Sequence, residues 1–372
     1  MIHLFVTAGI VIIAQKAAAT NLVTGQNAAA FNSMCRLARL LQSKSTLPVL
    51  NDVKEGPYKE IIKLNMTLTD SKWRSIFRTK EGGQKWQKKP PTDPEAPADW
   101  AQRWDDWLTA LKSLEDDEGK AKPNSDFFQD LNENQKSAIR PRLLEIASAA
   151  AETADELSNS KPTGDALKEA TLDKHMNKLL TGDESVDPAA ATVLQMFGAA
   201  TSSARDGPCT AKESAPAPMS LMAALACVCL SESGSQADRI CTRAQAAGEN
   251  WANGGDPTVG HIHNLVKLCP PALKHELTAA ELQAAVEQIV DATTATTSEF
   301  YLGSFASSCN GQQANGRCIK WSKTDGSRPE LNPYTPWLKD IAQMASELKQ
   351  REDYNRQVAT AKQALKTLQA EA

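Results

Sequence analysis

Apolar residues recur at helical spacing in four stretches of the chain, and each predicts one buried face of an amphipathic helix. In "AAAFNSMCRLARLLQSKS", Phe31, Met34, Ala38 and Leu41 fall on one stripe with Cys35 and Leu37 beside it, so this helix carries Cys35 into an apolar seam. In "AIRPRLLEIASAAAETADEL", Ile139, Leu143, Ile146, Ala150, Ala154 and Leu157 step by threes and fours, and the alanines leave room for another helix. Pro141 interrupts this pattern and, lacking an N–H, is expected in a first turn or at a kink. "LTAAELQAAVEQIV" carries its own start signal: Thr278 and Glu281 make a capping box, Leu277 and Leu282 a hydrophobic staple. Leu282, Ala285, Val286 and Ile289 then form its buried face. In the last stretch, which begins at "TPWLKDIAQMASELKQ", Tyr354, Val358, Ala361, Leu365 and Leu368 keep a heptad spacing. Such a seam suits an antiparallel hairpin or coiled coil, and whatever a hairpin leaves uncovered is expected to meet a symmetry mate.

Between these helices lie stretches rich in Pro, Gly, Ser and Asn, which punctuate structure rather than propagate it. They include residues 81–100, 201–220, "NWANGGDP" and "SCNGQQANGRCIKWSKTDGSRPELNPYTP", with a short strand at "RCIKW". No internal repeat is present. Trp100, Trp104 and Trp107 in "ADWAQRWDDWL" share one helical face, which reads as the anchor of a helix to its core before it reads as an aromatic ligand platform. The run "KKPPTDPE" reads as a solvated loop.

The chain opens with an apolar core from Leu4 to Ala14, too short to span a bilayer, followed by Ala17, Ala18 and Ala19. Small residues after a short apolar run match a signal-peptidase site, so residues 1–19 read as a leader and the mature chain begins near Thr20. Its amino-terminal region is weak, with His3 as the sole cationic candidate; the alternative is a buried first helix. Export decides how the eight cysteines are read, because thiols meet an oxidising environment outside the cytosol. Cys35, Cys209, Cys227, Cys229, Cys241, Cys269, Cys309 and Cys318 are therefore expected as half-cystines. Two Asn-Gly turn signals in "CNGQQANGRC" can bring Cys309 and Cys318 together, and Cys227 and Cys229, one residue apart, should take different partners. The six cysteines other than Cys309 and Cys318 are expected in long-range bridges around helix ends.

Composition adds little beyond class. Leu, Ala and charged residues outweigh aromatic and β-branched ones over 372 residues, which favours long helices. A net charge of -4 presents no basic face for nucleic acid or anionic lipid. No nucleophile elbow, metalloprotease helix, P-loop or dinucleotide fingerprint is present, so no catalytic residue, cofactor or metal is assigned. Zinc on Cys227, Cys229 and Cys241 with His261 or His263 is disfavoured by the C-x-C spacing and by oxidation. "HIH" aligns its imidazoles only in a strand, and the simpler reading is a loop or helix start; His175 reads as helix surface. Asn65 heads "NMT", an N-glycosylation sequon.

The order "FNSMCRLARL", "ACVCL…ADRICT", "NWANGGDPTVGHIHNLVKLCP" and "FYLGSFASSCNGQQANGRCIKW…PWLKDIAQMASEL" resembles the N-terminal domain of trypanosome variant surface glycoproteins of the class B type, over nearly the whole mature chain. The resemblance implies a mainly α fold: an elongated antiparallel helical hairpin or coiled-coil stalk, disulfide-braced irregular lobes and minor short strands, spanning residues 20–372. It further implies a homodimer packed among neighbouring coat molecules, facing host antibodies, with a variable sequence that evades them. Family members continue into a cysteine-rich C-terminal domain and an apolar tail that directs a lipid anchor; neither is found before Ala372. The expected location is the outer face of the plasma membrane through such an anchor, or secretion if the chain ends at Ala372. The competing reading is a surface or secreted receptor-like relative that binds a host serum protein on the same scaffold.

Overall fold

The computed structural model describes residues 21–79, 85–91, 99–117, 131–162, 167–201, 204–211, 218–234, 237–252, 254–324 and 328–372. The leader expected at residues 1–19 and much of the loops expected at 81–100 and 201–220 lie outside them. In chain order the helices are α1 (Ala28–Leu41), α2 (Pro57–Thr67), α3 (Ser71–Ser75), α4 (Trp100–Asp117), α5 (Glu133–Asn159), α6 (Glu169–Thr181), α7 (Val193–Phe197), α8 (Leu221–Cys229), α9 (Val259–Lys267), α10 (Ala279–Asp291) and α11 (Pro336–Glu371). The strands are β1 (Thr210–Ala211), β2 (Thr293–Ala295), β3 (Glu299–Phe305) and β4 (Gly316–Ser322). The protein is therefore mainly helical, with one small sheet, and is braced by disulfides. Among the described residues, no helix is long and apolar enough to cross a membrane.

The chain divides into two compact units. The first holds the described residues of Met1–Pro48 and Gly164–Lys349; the second holds those of Val49–Thr163 and Gln350–Ala372. At the centre of the first lies α8, whose nine residues are all buried. "LMAALACVC" has no polar face, and a helix apolar all round is stable only when neighbours cover every side. Helices α1, α6, α7 and α9 and strands β3 and β4 supply that cover. Ser220 starts α8 by accepting the Ala223 N–H on its side chain. The sheet runs β1-β4-β3-β2, with β1 and β4 parallel and the other pairs antiparallel. The predicted strand at "RCIKW" is thus β4, and its register sets Gly303 opposite Cys318 and Phe300 opposite Trp321.

The capping box and staple at α10 form as the sequence predicts, with Leu277 and Leu282 fully buried. Of the two placements expected for Pro141 the first turn is not the one taken, since it lies well inside α5. The missing hydrogen bond falls on the carbonyl of Ser137, and both residues are exposed, so water replaces the lost N–H.

The second unit packs α2 against α4 and α5. Its core joins Tyr58, Ile61, Ile62, Phe77 and Trp104 with the α5 stripe and with Tyr354, Val358 and Leu365 of α11. The heptad seam is therefore covered within the chain: Tyr354 is 4 %, Val358 1 % and Leu365 0 % exposed. Ala361 and Leu368, the other two heptad positions, are half-buried against the same core.

Candidate functional site

The eight cysteines form four bridges, all in the first unit. Residues two apart on a helix point about 200° apart, so Cys227 and Cys229 leave α8 on opposite sides. Cys227 joins Cys209 and Cys229 joins Cys241, at Cα separations of 5.7 and 5.3 Å. Cys35 of α1 joins Cys269 just beyond α9 across 234 residues, and Cys309 joins Cys318 across 9. The six cysteines outside the hairpin are therefore not all in long-range pairs. Two of their three bridges close 18 and 12 residues, because the segments flanking α8 fold straight back on it.

Oxidation removes every thiolate, and the described residues hold no group of three His, Cys, Asp or Glu placed for a metal. His261 and His263 lie on α9, a helix and not the strand that would align them. Each ring is engaged separately: His261 Nδ1 meets the backbone of Asn250 at 2.9 Å, and His263 Nε2 meets the Ala191 carbonyl at 3.0 Å. His175 is half-buried on α6, beside a cavity of about 210 Å³ that Asp340 and Glu347 also line.

Two arginines complete the bracing. Arg205 is fully buried against Trp251, and its Nη2 donates to the Cys227 carbonyl at 2.9 Å, satisfying an orphan acceptor at the end of α8. Burial first, and then the neighbouring Arg317 guanidinium, hold Arg205 down to about 9. Burial likewise holds Arg317 down to about 10, and its Nε donates to the Gly311 carbonyl at 3.0 Å. Gly311 sits at φ +88°, and a Cβ there would lie 2.2 Å from Arg205 Nη1, so only glycine fits. Asn27 ties the amino-terminal segment in: its Nδ2 donates to the Val228 and Arg317 carbonyls, both at 2.8 Å, and its Oδ1 accepts from Ser304. None of these three residues stands out in the sequence, since each has at least one hydrogen-bond partner more than twenty positions away.

A Ser–His–Glu alignment also forms in the first unit. Ser45 Oγ lies 3.2 Å from His275 Nδ1, and His275 Nε2 lies 3.0 Å from the Glu281 carboxylate. The spacing resembles a hydrolase triad, but the hydrogens are placed against it. Ser43 donates to the Leu40 carbonyl at 2.7 Å, so the 2.7 Å contact between Ser43 and Ser45 is donated by Ser45. Ser45 has no hydrogen left for the imidazole to remove, and it is buried. The group fastens chain segments together and does not activate a nucleophile.

In the second unit the tryptophans form a packed cluster. Trp104 is 1 % exposed, stacks on Phe77 at 4.2 Å and donates its Nε1–H to the Gln87 carbonyl at 2.9 Å. Trp73 meets Trp100 and Trp107 edge-on at 5.1 and 5.6 Å. This is core packing, with no ring face left as a platform at Trp104. Nearby, Asp106 accepts from Lys54 Nζ at 2.7 Å and from the Tyr58 hydroxyl at 2.6 Å; burial first, and then that carboxylate, raise the Tyr58 hydroxyl. Asn65 is half-buried near the end of α2, and Thr67 Oγ1 of its sequon donates to the Lys63 carbonyl.

What emerges is a scaffold braced by four disulfides and two buried arginines. The family profile described as "Trypanosomal VSG domain" matches residues 10–367. The chain is also 24 % identical over 362 residues to variant surface glycoprotein ILTAT 1.23 of Trypanosoma brucei brucei, covering 95 % of this chain and 67 % of that protein. With the disulfide cage and mainly helical fold already in place, the profile match over almost the whole length decides the matter: the chain belongs to the trypanosomal VSG domain family, the variable surface coat antigens by which these cells evade antibodies.

Proposed function

We propose that this coat antigen acts as a passive, exchangeable shield: a homodimer held at the cell surface by a lipid anchor, with residues 1–19 removed as a leader and residues 20–372 folding as the antigen domain. The observation that carries this reading is the division of roles around α8. The bridges, Arg205 and Arg317 hold the backbone from inside, while Thr296–Ser298, Ala306, Ser307 and Ala314 are exposed on the outside. Replacing exposed side chains of this kind costs within about 0.5 kcal/mol, so the outer face can change while the cage stays. The cavities beside His175, Tyr58 and His263 measure about 210, 300 and 350 Å³, at or below the small end of the range for ligand sites. Homodimerisation and the anchor rest on family membership, and the α11 seam does not argue for the dimer. Neighbouring coat molecules and host antibodies are the partners of this role, and no catalytic step is assigned to it. Asn65 is proposed to carry an N-glycan.

One preparation tests these points together. The secreted chain is expected to scatter light as a dimer at micromolar concentration, to lose mass on glycosidase treatment, and to capture no host serum protein saturably. A monomer would remove the dimer, an unchanged mass would leave Asn65 bare, and tight capture of one serum protein would replace the shield by the receptor-like role.

A further inference from the structure

We propose that His275, held between Ser45 and Glu281, is a pH-operated latch that fastens the segment Leu273–Leu277 to the turn after α1 and to the start of α10. The case rests on counting hydrogens. Ser45 spends its hydroxyl hydrogen on Ser43, which spends its own on the Leu40 carbonyl. Toward His275 Nδ1, Ser45 can therefore only accept. The second neighbour of Nδ1 is the Leu273 carbonyl at 2.8 Å, also an acceptor, so Nδ1 carries a hydrogen. Nε2 faces both oxygens of the Glu281 carboxylate, at 3.0 and 3.1 Å. A neutral imidazole with its hydrogen on Nδ1 would point a lone pair at that anion. Both contacts are satisfied together only by the doubly protonated ring.

The charged group facing His275 from α10 is Glu281, and the turn after α1 offers only the Ser43 and Ser45 hydroxyls. Lys44, Lys274 and Glu276, its charged neighbours along the chain, are exposed and screened by water. The Leu273 carbonyl acts first and raises the imidazole, burial comes next and opposes it, and the hydrogen bond and charge of Glu281 then add to the rise, which leaves the ring above its ordinary value. For Glu281, burial acts upward, but the hydrogen bonds from Thr278 and His275 carry the carboxyl below its ordinary value. The signs follow: the contribution of His275 is complete below the ordinary imidazole value and is lost as pH rises through its raised value. That of Glu281 is complete above the ordinary carboxylate value and is lost as pH falls through its lowered value. The latch is closed between the two and opens on the alkaline side.

What it holds is the parallel bridge between Thr46 and Glu276, where the Thr46 N–H donates to the His275 carbonyl at 2.9 Å and the Leu277 N–H to the Thr46 carbonyl at 2.8 Å. Amide hydrogen exchange at Thr46 and Leu277, corrected for the intrinsic effect of pH, reads the latch directly. Between pH 6 and pH 8 their protection is expected to fall about tenfold in the unmodified protein, the factor that matches one charge-assisted hydrogen bond. Glu281→Gln keeps the capping box but not the anion, and His275→Gln removes the titrating ring; in both the fall should vanish. The His275 ring should also titrate above the free imidazole value by NMR and move down in Glu281→Gln. An equal fall in all three proteins, no fall in the unmodified one, or a His275 midpoint at or below the free value would overturn the proposal. A purely structural histidine would leave the midpoint indifferent to Glu281→Gln.

Discussion

Replacing Cys35 and Cys269 together by alanine is expected to destabilise the protein by about 5 kcal/mol, against about 3 kcal/mol for the same change at Cys309 and Cys318, because the entropy removed from the unfolded chain grows with the logarithm of the loop closed. The first bridge closes 234 residues and the second 9, and the second lies outside the loop of the first, so the two effects can be measured separately. The longer bridge also joins α1 to the end of α9, two helices that both pack on α8. Urea unfolding of the two double variants provides the comparison. Equal losses would mean that the bridges act through local strain or packing and not through the unfolded chain.

The second large effect is expected at Trp104. Trp104→Ala removes the ring stacked on Phe77, empties the centre of the aromatic cluster and leaves the Gln87 carbonyl without its indole donor. Truncating a buried aromatic residue costs about 3–5 kcal/mol, and the second unit contains no cysteine to restrain it once the core loosens. Hydrogen exchange should then rise across α2, α4 and α5 while α8 keeps its protection. Unchanged exchange combined with loss of a bound aromatic ligand would instead favour the platform role that the Trp100, Trp104 and Trp107 spacing also allows.

How far the sequence could be read depended on the range of each signal. The α10 start was legible because Thr278, Glu281, Leu277 and Leu282 lie within six positions of one another and fix the cap by themselves. The stripes of α1, α5 and α11 were legible for the same reason, each being a local period. Strands β2 and β3 passed unnoticed, since short Thr-rich and aromatic stretches acquire a fixed register only by pairing, β2 with β3 and β3 with β4. Pro141 could be read only as far as a first turn or a kink; it lies inside α5, where the carbonyl it leaves without an N–H partner faces water. The heptad of α11 was correctly periodic yet silent about its partner, which proved to be the same chain. Least legible were the sites built from distant pieces: Ser45 and His275 are separated by 230 residues, and Arg205 shows its purpose only beside Gly311 and the end of α8.

The central claim is that this VSG-family chain is a coat antigen and not a sparse receptor. It is tested most directly by antibody labelling of live, unpermeabilised trypanosomes expressing the gene, combined with a count of copies per cell. An even label over the whole surface is expected, with a copy number that makes this chain the dominant surface protein. A label confined to one internal or restricted site, with few copies per cell, would contradict it.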